Sequence, residues 1–185
     1  MKKLILLLLF IPLVSFGQDF RKMSFGDTKE QLTQTYPDVD FTVEEFEGIE
    51  AVYHIDNVAG IEDTRVVYMF VNKEFSSGMY MFAQGDIFMD GAERLKNYKR
   101  VSGRLSEKYE MVDENEWHND SWKDSPNSHG HAINMGHVDF KERYQTDRIT
   151  ILHALSKSSG EIGHTVMYAS TPFFNMMQEE SDNEF

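Results

Sequence analysis

The stretch at residues 65–71 limits how this chain can fold more than any other feature. Its residues alternate as those of a β-strand do, with Val66, Tyr68 and Phe70 on one side. The intervening positions, two valines and a methionine, are equally apolar. A strand with one face in water carries polar residues on that face. We therefore expect a strand inside a sheet, with both faces needing cover from the chain or from a partner.

Two capped helices and two sets of strands follow one another along the chain. Asp27 and Glu30 have the spacing of a capping box and predict a helix over 28–36. Asp90 and Glu93 repeat that spacing before a longer helix over 91–109. Predicted strands lie at 41–45, 51–55, 65–71, 79–83, 132–141, 148–155 and 162–170.

Turn signals separate these strands and set the element order. Residues 57–63 are expected to form a loop, and the Ser-Ser-Gly triplets at 76–78 and 158–160 are hairpin signals. Runs of strands after a helix favour an antiparallel sheet with helices packed on one face, an α+β fold. The recurring order suggests two tandem helix-plus-meander modules, at 18–86 and 87–174, before an acidic flexible tail at 175–185.

The first 17 residues have the pattern of a secretory signal peptide. Lys2 and Lys3 precede an apolar run over 4–14, and Ser15 and Gly17 supply small residues before a cleavage site. The run is shorter than the ~20 residues that span a bilayer. No later segment is apolar enough to cross one. We expect an exported protein, periplasmic or extracellular, with no membrane span.

Composition excludes several classes of chemistry. The 185 residues include no cysteine, which rules out disulfides, thiol catalysis and zinc–thiolate sites. A formal charge of −13 opposes nucleic acid and anionic lipid, whose binding is built on basic surfaces. Motifs for serine nucleophiles and for nucleotide phosphates are also missing. The sequence predicts no cofactor.

The start of the first predicted helix carries a resemblance to known proteins. Residues 25–32, FGDTKEQL, resemble the opening helix of β-lactamase inhibitor proteins and of SmpA/OmlA-type envelope lipoproteins, with Gly26 and Thr28 at the matching positions and Leu32 displaced from the apolar one. Residues 144–151 and 166–170 are similar to secreted Bacteroidetes proteins of this length. The resemblance implies a helix leading into an antiparallel meander and a non-catalytic role. The chain lacks the lipid-attachment cysteine of the lipoproteins.

A histidine-rich region is the best candidate for chemistry. His129 and His131 are two apart, so on a strand both imidazoles would point the same way, with His118 and Asp120 as further ligands. This arrangement would suit a small metal-binding protein or a metal-dependent hydrolase. The alternative is a set of polar histidines in a loop without a metal.

Aromatic residues suggest a binding surface instead. Tyr68, Phe70, Tyr80 and Phe82 would share one face of neighbouring strands, and Trp117 and Trp122 would edge it as anchors. The competing interpretation is that these side chains fill an ordinary core. We favour a non-catalytic binding module that recognises an envelope or extracellular protein through an open sheet face.

Overall fold

The computed structural model describes residues 19–46, 48–82, 91–113 and 115–183. The predicted signal peptide and Asp90 lie outside these ranges. The helices are α1 (Lys29–Thr35), α2 (Gly91–Ser106), α3 (His129–Met135) and α4 (Thr171–Asn183). The strands are β1 (Thr42–Phe46), β2 (Ile49–Val58), β3 (Ile61–Val71), β4 (Glu74–Met81), β5 (Met111–Asp113), β6 (Glu116–Trp117), β7 (Val138–Gln145), β8 (Ile149–Ser158) and β9 (Glu161–Ser170).

An antiparallel sheet organises the described chain, which confirms the α+β fold. Its strands follow the order β1-β2-β3-β4-β9-β8-β7-β5, and the short β6 pairs with β7. Consecutive strands are joined as two meanders, and their last strands, β4 and β9, lie side by side at the centre. A helix precedes each meander, α1 in the first half and α2 in the second, where β5, β6 and α3 stand between α2 and β7.

Helices α1, α2 and α3 pack on one face of the sheet, hereafter the helix face. Leu32 of α1 is fully buried and belongs to a cluster that includes Val66 and Tyr68 of β3. Leu95 and Tyr98 of α2 pack with Ile133 of α3 over the other half of the sheet. The hydrophobic clusters of the described chain lie on this face, so it holds most of the core, and burial of each such side chain contributes roughly 1.5–3 kcal/mol.

Helix α4 lies against the opposite face. Its Phe174 is buried and lines a cavity with Leu152 and Ala154 of β8, whose side chains point away from the helix face. At the start of this helix the Thr171 N–H donates to the Arg148 carbonyl at 3.0 Å, and the Thr171 hydroxyl lies 3.4 Å from that of Thr150. Thus the stretch predicted as a flexible tail from residue 175 instead continues α4 through Asn183.

The N-cap of α1 differs from the predicted one by one residue. Thr28, not Asp27, is the cap: its hydroxyl accepts from the Gln31 N–H, and the Gln31 side chain accepts from the Thr28 N–H. The Asp27 carboxylate is engaged earlier in the chain, because it accepts from the Ser24 N–H at 2.7 Å. Asp27 and Thr28 could each cap this helix. Because the Asp27 carboxylate is bound to the Ser24 N–H, Thr28 takes the cap position.

Hairpin turns also depart from the predicted positions. The loop expected at 57–63 is a two-residue turn at Ala59 and Gly60, both with positive φ, as the tight hairpin turn requires. The triplet at 76–78 lies inside β4, next to a bulge opposite Met69. Gly78 is needed there for another reason, because a Cβ would overlap the Phe20 ring. The later triplet does form a turn, at Ser159 and Gly160.

The strand predicted at 132–141 is wrong over its first half. Residues 129–135 form helix α3, which ends at Gly136 with φ of 72°, and the strand begins only at Val138. Gly130 allows this helix to touch α2, since a Cβ there would meet the backbone of Gly91 and Ala92. A close helix–helix contact therefore outweighs the local strand pattern.

Candidate functional site

The face opposite the three core helices carries a row of methionines. Val67 of β3 pairs with Met79 of β4, and Met79 pairs with Met167 of β9, so these side chains share one face. Met69 and Met81 lie two residues away on the same strands and complete the set. We call these five residues the methionine face.

The methionine face is partly accessible to solvent. Met81 is 40% exposed and the neighbouring Ile55 of β2 is 56% exposed. Met69, Met79 and Met167 are half-buried, and Val67 is buried. Helix α4 covers the adjoining part of this side, around Phe174 and Leu152. The second side of the sheet is thus only partly covered by the described chain.

The aromatic residues predicted to form a surface lie on the helix face. Tyr68, Phe70 and Phe82 are at most 4% exposed, and Tyr80 is half-buried. The Phe20 ring packs against Tyr68 and Tyr80 at centroid distances of 5.4 and 4.8 Å. These residues therefore fill the core, and the other side of β3, which carries the buried Val67 and the half-buried Met69, is the one that α1 does not cover.

The two tryptophans pack against histidines near α3. Trp117 lies 4.8 Å from His129 between ring centroids, and Trp122 lies 5.3 Å from His131. Both indoles are half-buried by these contacts. They border α3 and β7 rather than β3 and β4, so they do not edge the methionine face.

The histidines predicted as metal ligands are not brought together. His129 and His131 are on α3 rather than on a strand, so two residues of separation turns their rings apart, each toward a different tryptophan. The His129 ring is also bound at 3.1 Å to the Lys123 carbonyl. Asp120 opens a separate 3-10 turn and is exposed.

His118 instead joins two carboxylates from neighbouring strands. One ligand atom each from Glu116, His118 and Asp139 lie within 4.8 Å of one another. The Lys141 ammonium already binds both carboxylates, at 2.8 Å from Glu116 and 3.2 Å from Asp139. The hydrogen bond that Lys141 donates to Glu116 lowers the pKa of the Glu116 carboxyl. Lysine therefore supplies the positive charge that a cation would bring to this exposed cluster.

A buried polar network, which the sequence analysis missed, crosses the helix face of β7, β8 and β9. Glu142 Oε2 lies 2.9 Å from His153 Nδ1, and His153 Nε2 lies 3.0 Å from His164 Nε2. The Tyr98 ring stacks on His153 at 4.0 Å. The signal present in the sequence is a polar residue at an inward strand position, such as His153 between Ile151 and Leu155. Only the register of the three strands shows that Glu142, His153 and His164 lie next to one another.

Hydrogen-bond donors keep Glu142 ionised in this network. Burial opposes its ionisation, but donors from His153, Ser102 and Tyr144 outweigh that effect and lower the pKa of the carboxyl. Burial also lowers the pKa of His153 and takes that of His164 to about 3. Both imidazoles are thus neutral near pH 7. They are nearly inaccessible, at 1% and 5% exposed, so the network suits holding the fold better than reacting with a substrate.

Comparison with known proteins gives no relative from which a function could be transferred. The chain matches no protein-family model, no curated protein and no solved structure. In the described part of the chain, none of the helices combines the length and the apolar character needed to span a bilayer.

Proposed function

We propose that this chain is an exported, non-catalytic binding protein that recognises an envelope or extracellular protein through its methionine face. The observation that carries the proposal is the accessible apolar side of β3, β4 and β9. Export rests on the leader-like pattern of the first 17 residues. The non-catalytic role is also what the resemblance to inhibitor and envelope-assembly modules implies.

Methionine suits this role because its side chain is flexible and polarisable. It adapts to partners of different shape and recurs on surfaces that bind apolar protein segments. At the border of the face, the Arg65 guanidinium lies 4.5 Å above the Tyr53 ring. A protein surface with apolar side chains at its centre and acidic groups opposite Arg65 would be complementary to this arrangement.

The arrangement of the two meanders supports an origin by duplication of one helix-plus-meander module. The last strand of each half lies at the centre, where Met79 pairs with Met167. Two copies related in this way would join their sheets edge to edge into one wide surface. The methionine face spans that junction, so we propose that recognition depends on both halves.

A pair of matched variants tests the proposal. Met81→Glu places a charge on the methionine face, whereas Val43→Glu places one at a position on β1 that is 50% exposed and faces the other side. Each immobilised protein is exposed to an envelope extract of the organism that encodes it. We expect Val43→Glu to retain a specific protein that Met81→Glu loses at least about tenfold. Equal capture by both variants, with equal melting temperatures, would contradict this role.

A further inference from the structure

A second candidate binding site lies on the helix face, away from the methionine face. A cavity of about 360 Å³ opens where the C-terminal part of α2 approaches the turn between β2 and β3. Phe82, Leu105 and Val166 form part of its wall and are buried apolar residues. Small-molecule sites have volumes of roughly 300–1,000 Å³ and mostly apolar walls, so the cavity has the size and lining of a ligand pocket.

Its position follows from how the two helices are placed. Helix α1 covers β2 and β3, and α2 with α3 covers β7 and β8. The central strands β4 and β9 lie between these two groups. Phe20 fills part of that gap by packing against Tyr80 and Tyr168. The cavity occupies the next part, beside the same two tyrosines.

Most of the polar side chains that line the cavity can donate hydrogen bonds. Tyr80 and Tyr168 line it, and burial raises the pKa of both phenols, so each keeps its proton. The Tyr80 hydroxyl also accepts from the Arg21 guanidinium, which acts against burial but does not outweigh it. Arg104 and Lys108, both exposed, stand on the α2 side with one acidic residue, Glu107. Cations thus outnumber acids here in a chain whose net charge is −13. Neutral O–H donors and cations together complement an anion.

We propose that this cavity binds a small molecule with an apolar body and a carboxylate. The apolar part would lie against Phe82, Leu105 and Val166, and the carboxylate would meet the tyrosine hydroxyls, Arg104 and Lys108. A small inorganic anion would leave the apolar wall empty, and a neutral hydrocarbon would leave the cations without a partner. This inference does not depend on protein recognition at the methionine face.

Calorimetric titration of the exported chain with decanoate tests the site. We expect one saturable site per chain. Val58→Trp, which fills the cavity from its rim, should weaken binding at least about tenfold, and so should the double variant Arg104→Glu/Lys108→Glu. Met81→Glu, on the opposite face, should bind decanoate as the parent does. 1-Decanol, with the same chain length and no charge, should bind at least about tenfold more weakly than decanoate.

Several results would overturn the assignment. These are absence of saturable binding, equal binding by the double charge variant, equal affinity for 1-decanol, or loss of decanoate binding in Met81→Glu. Arg104 and Lys108 are exposed, so their variant reports on the site even where Val58→Trp fails to fold. Retained decanoate binding by Met81→Glu also separates this test from the one on protein capture.

Discussion

The Nε2 atoms of His153 and His164 face each other at 3.0 Å inside the core. A carboxylate only accepts hydrogen bonds, so Glu142 assigns the proton of His153 to Nδ1. The Nε2 of His153 is then an acceptor, and the Nε2–H of His164 must donate to it. One chain of hydrogen bonds runs from β9 through β8 to β7, and it is satisfied only while His153 is neutral, because a proton on His153 Nε2 would face the Nε2–H of His164.

Acid should destabilise the fold through His164. Above pH 6.5 the ring is neutral in both the folded and unfolded states and contributes no pH dependence. Below pH 6.5 the unfolded chain takes up a proton that the folded chain refuses until its pKa of about 3. Stability therefore falls as the pH drops through this window, by up to about 1.4 kcal/mol per pH unit for one proton.

His164→Gln tests this linkage, because glutamine can still donate to His153 but does not titrate. We expect urea denaturation between pH 6 and 4 to show a pH dependence shallower by about one proton. His131→Gln, at an exposed position, is the control and should keep the parental slope. An unchanged slope in His164→Gln would show that the ring is accessible to protons in the folded state.

Glu142 should contribute strongly to stability as the acceptor at the end of this chain. Ser102 Oγ and Tyr144 Oη each donate to it at 2.7 Å. Glu142→Gln removes the charge and sets an NH₂ group against donors, so we expect a loss of about 2–3 kcal/mol in the free energy of unfolding by urea. Glu44→Gln alters an exposed acceptor of the Tyr53 hydroxyl and should change it by less than about 0.5 kcal/mol. If the two variants lose similar free energies of unfolding, the buried hydrogen bonds of Glu142 do not stabilise the fold more than an exposed one does.

Two glycine-to-alanine changes should have opposite effects. Gly78→Ala places a Cβ into the buried Phe20 ring, and we expect a loss of about 1–3 kcal/mol from overpacking. Gly103→Ala lies inside α2 with open space around it, and its better helix propensity should stabilise by about 1 kcal/mol. Thermal and urea unfolding measure both. Stabilisation by Gly78→Ala would mean that Phe20 does not pack on β4 in solution.

Asp19 should hold the N-terminal segment against the sheet. It is 4% exposed, accepts two bonds from Arg148 Nη2 at 3.0 and 3.1 Å, and accepts from the Phe25 N–H. Asp19→Ala leaves that N–H without its acceptor, and we expect a loss of about 1–3 kcal/mol. Hydrogen exchange should then quicken at Phe20 and Met23, which bond to each other's backbone. If exchange is unchanged, the packing of Phe20 alone holds this segment against the sheet and the Asp19 contacts do not contribute.

Local structure was largely predictable where one short-range rule applied. The alternation of residues 65–71 gave the core of β3, and the last Ser-Ser-Gly triplet gave the β8–β9 turn. The helix over 129–135 escaped prediction because its decisive contact, Gly130 against Gly91, joins residues far apart in sequence. The network of Glu142, His153 and His164 escaped for the same reason, since register across three strands brings the residues together.

By itself the sequence determined that β3 would be apolar on both sides, because alternation along a strand is a local property of the chain. It did not determine which side would be covered. Tyr68 and Phe70 on one side are not more apolar than Val67 and Met69 on the other, so the pattern does not distinguish the two sides. Only the tertiary structure decided that, by placing Phe20 and α1 over Tyr68 and leaving Met69 half-buried and Met81 exposed on the other side. The physical reason is that burial depends on what the rest of the chain brings to each face.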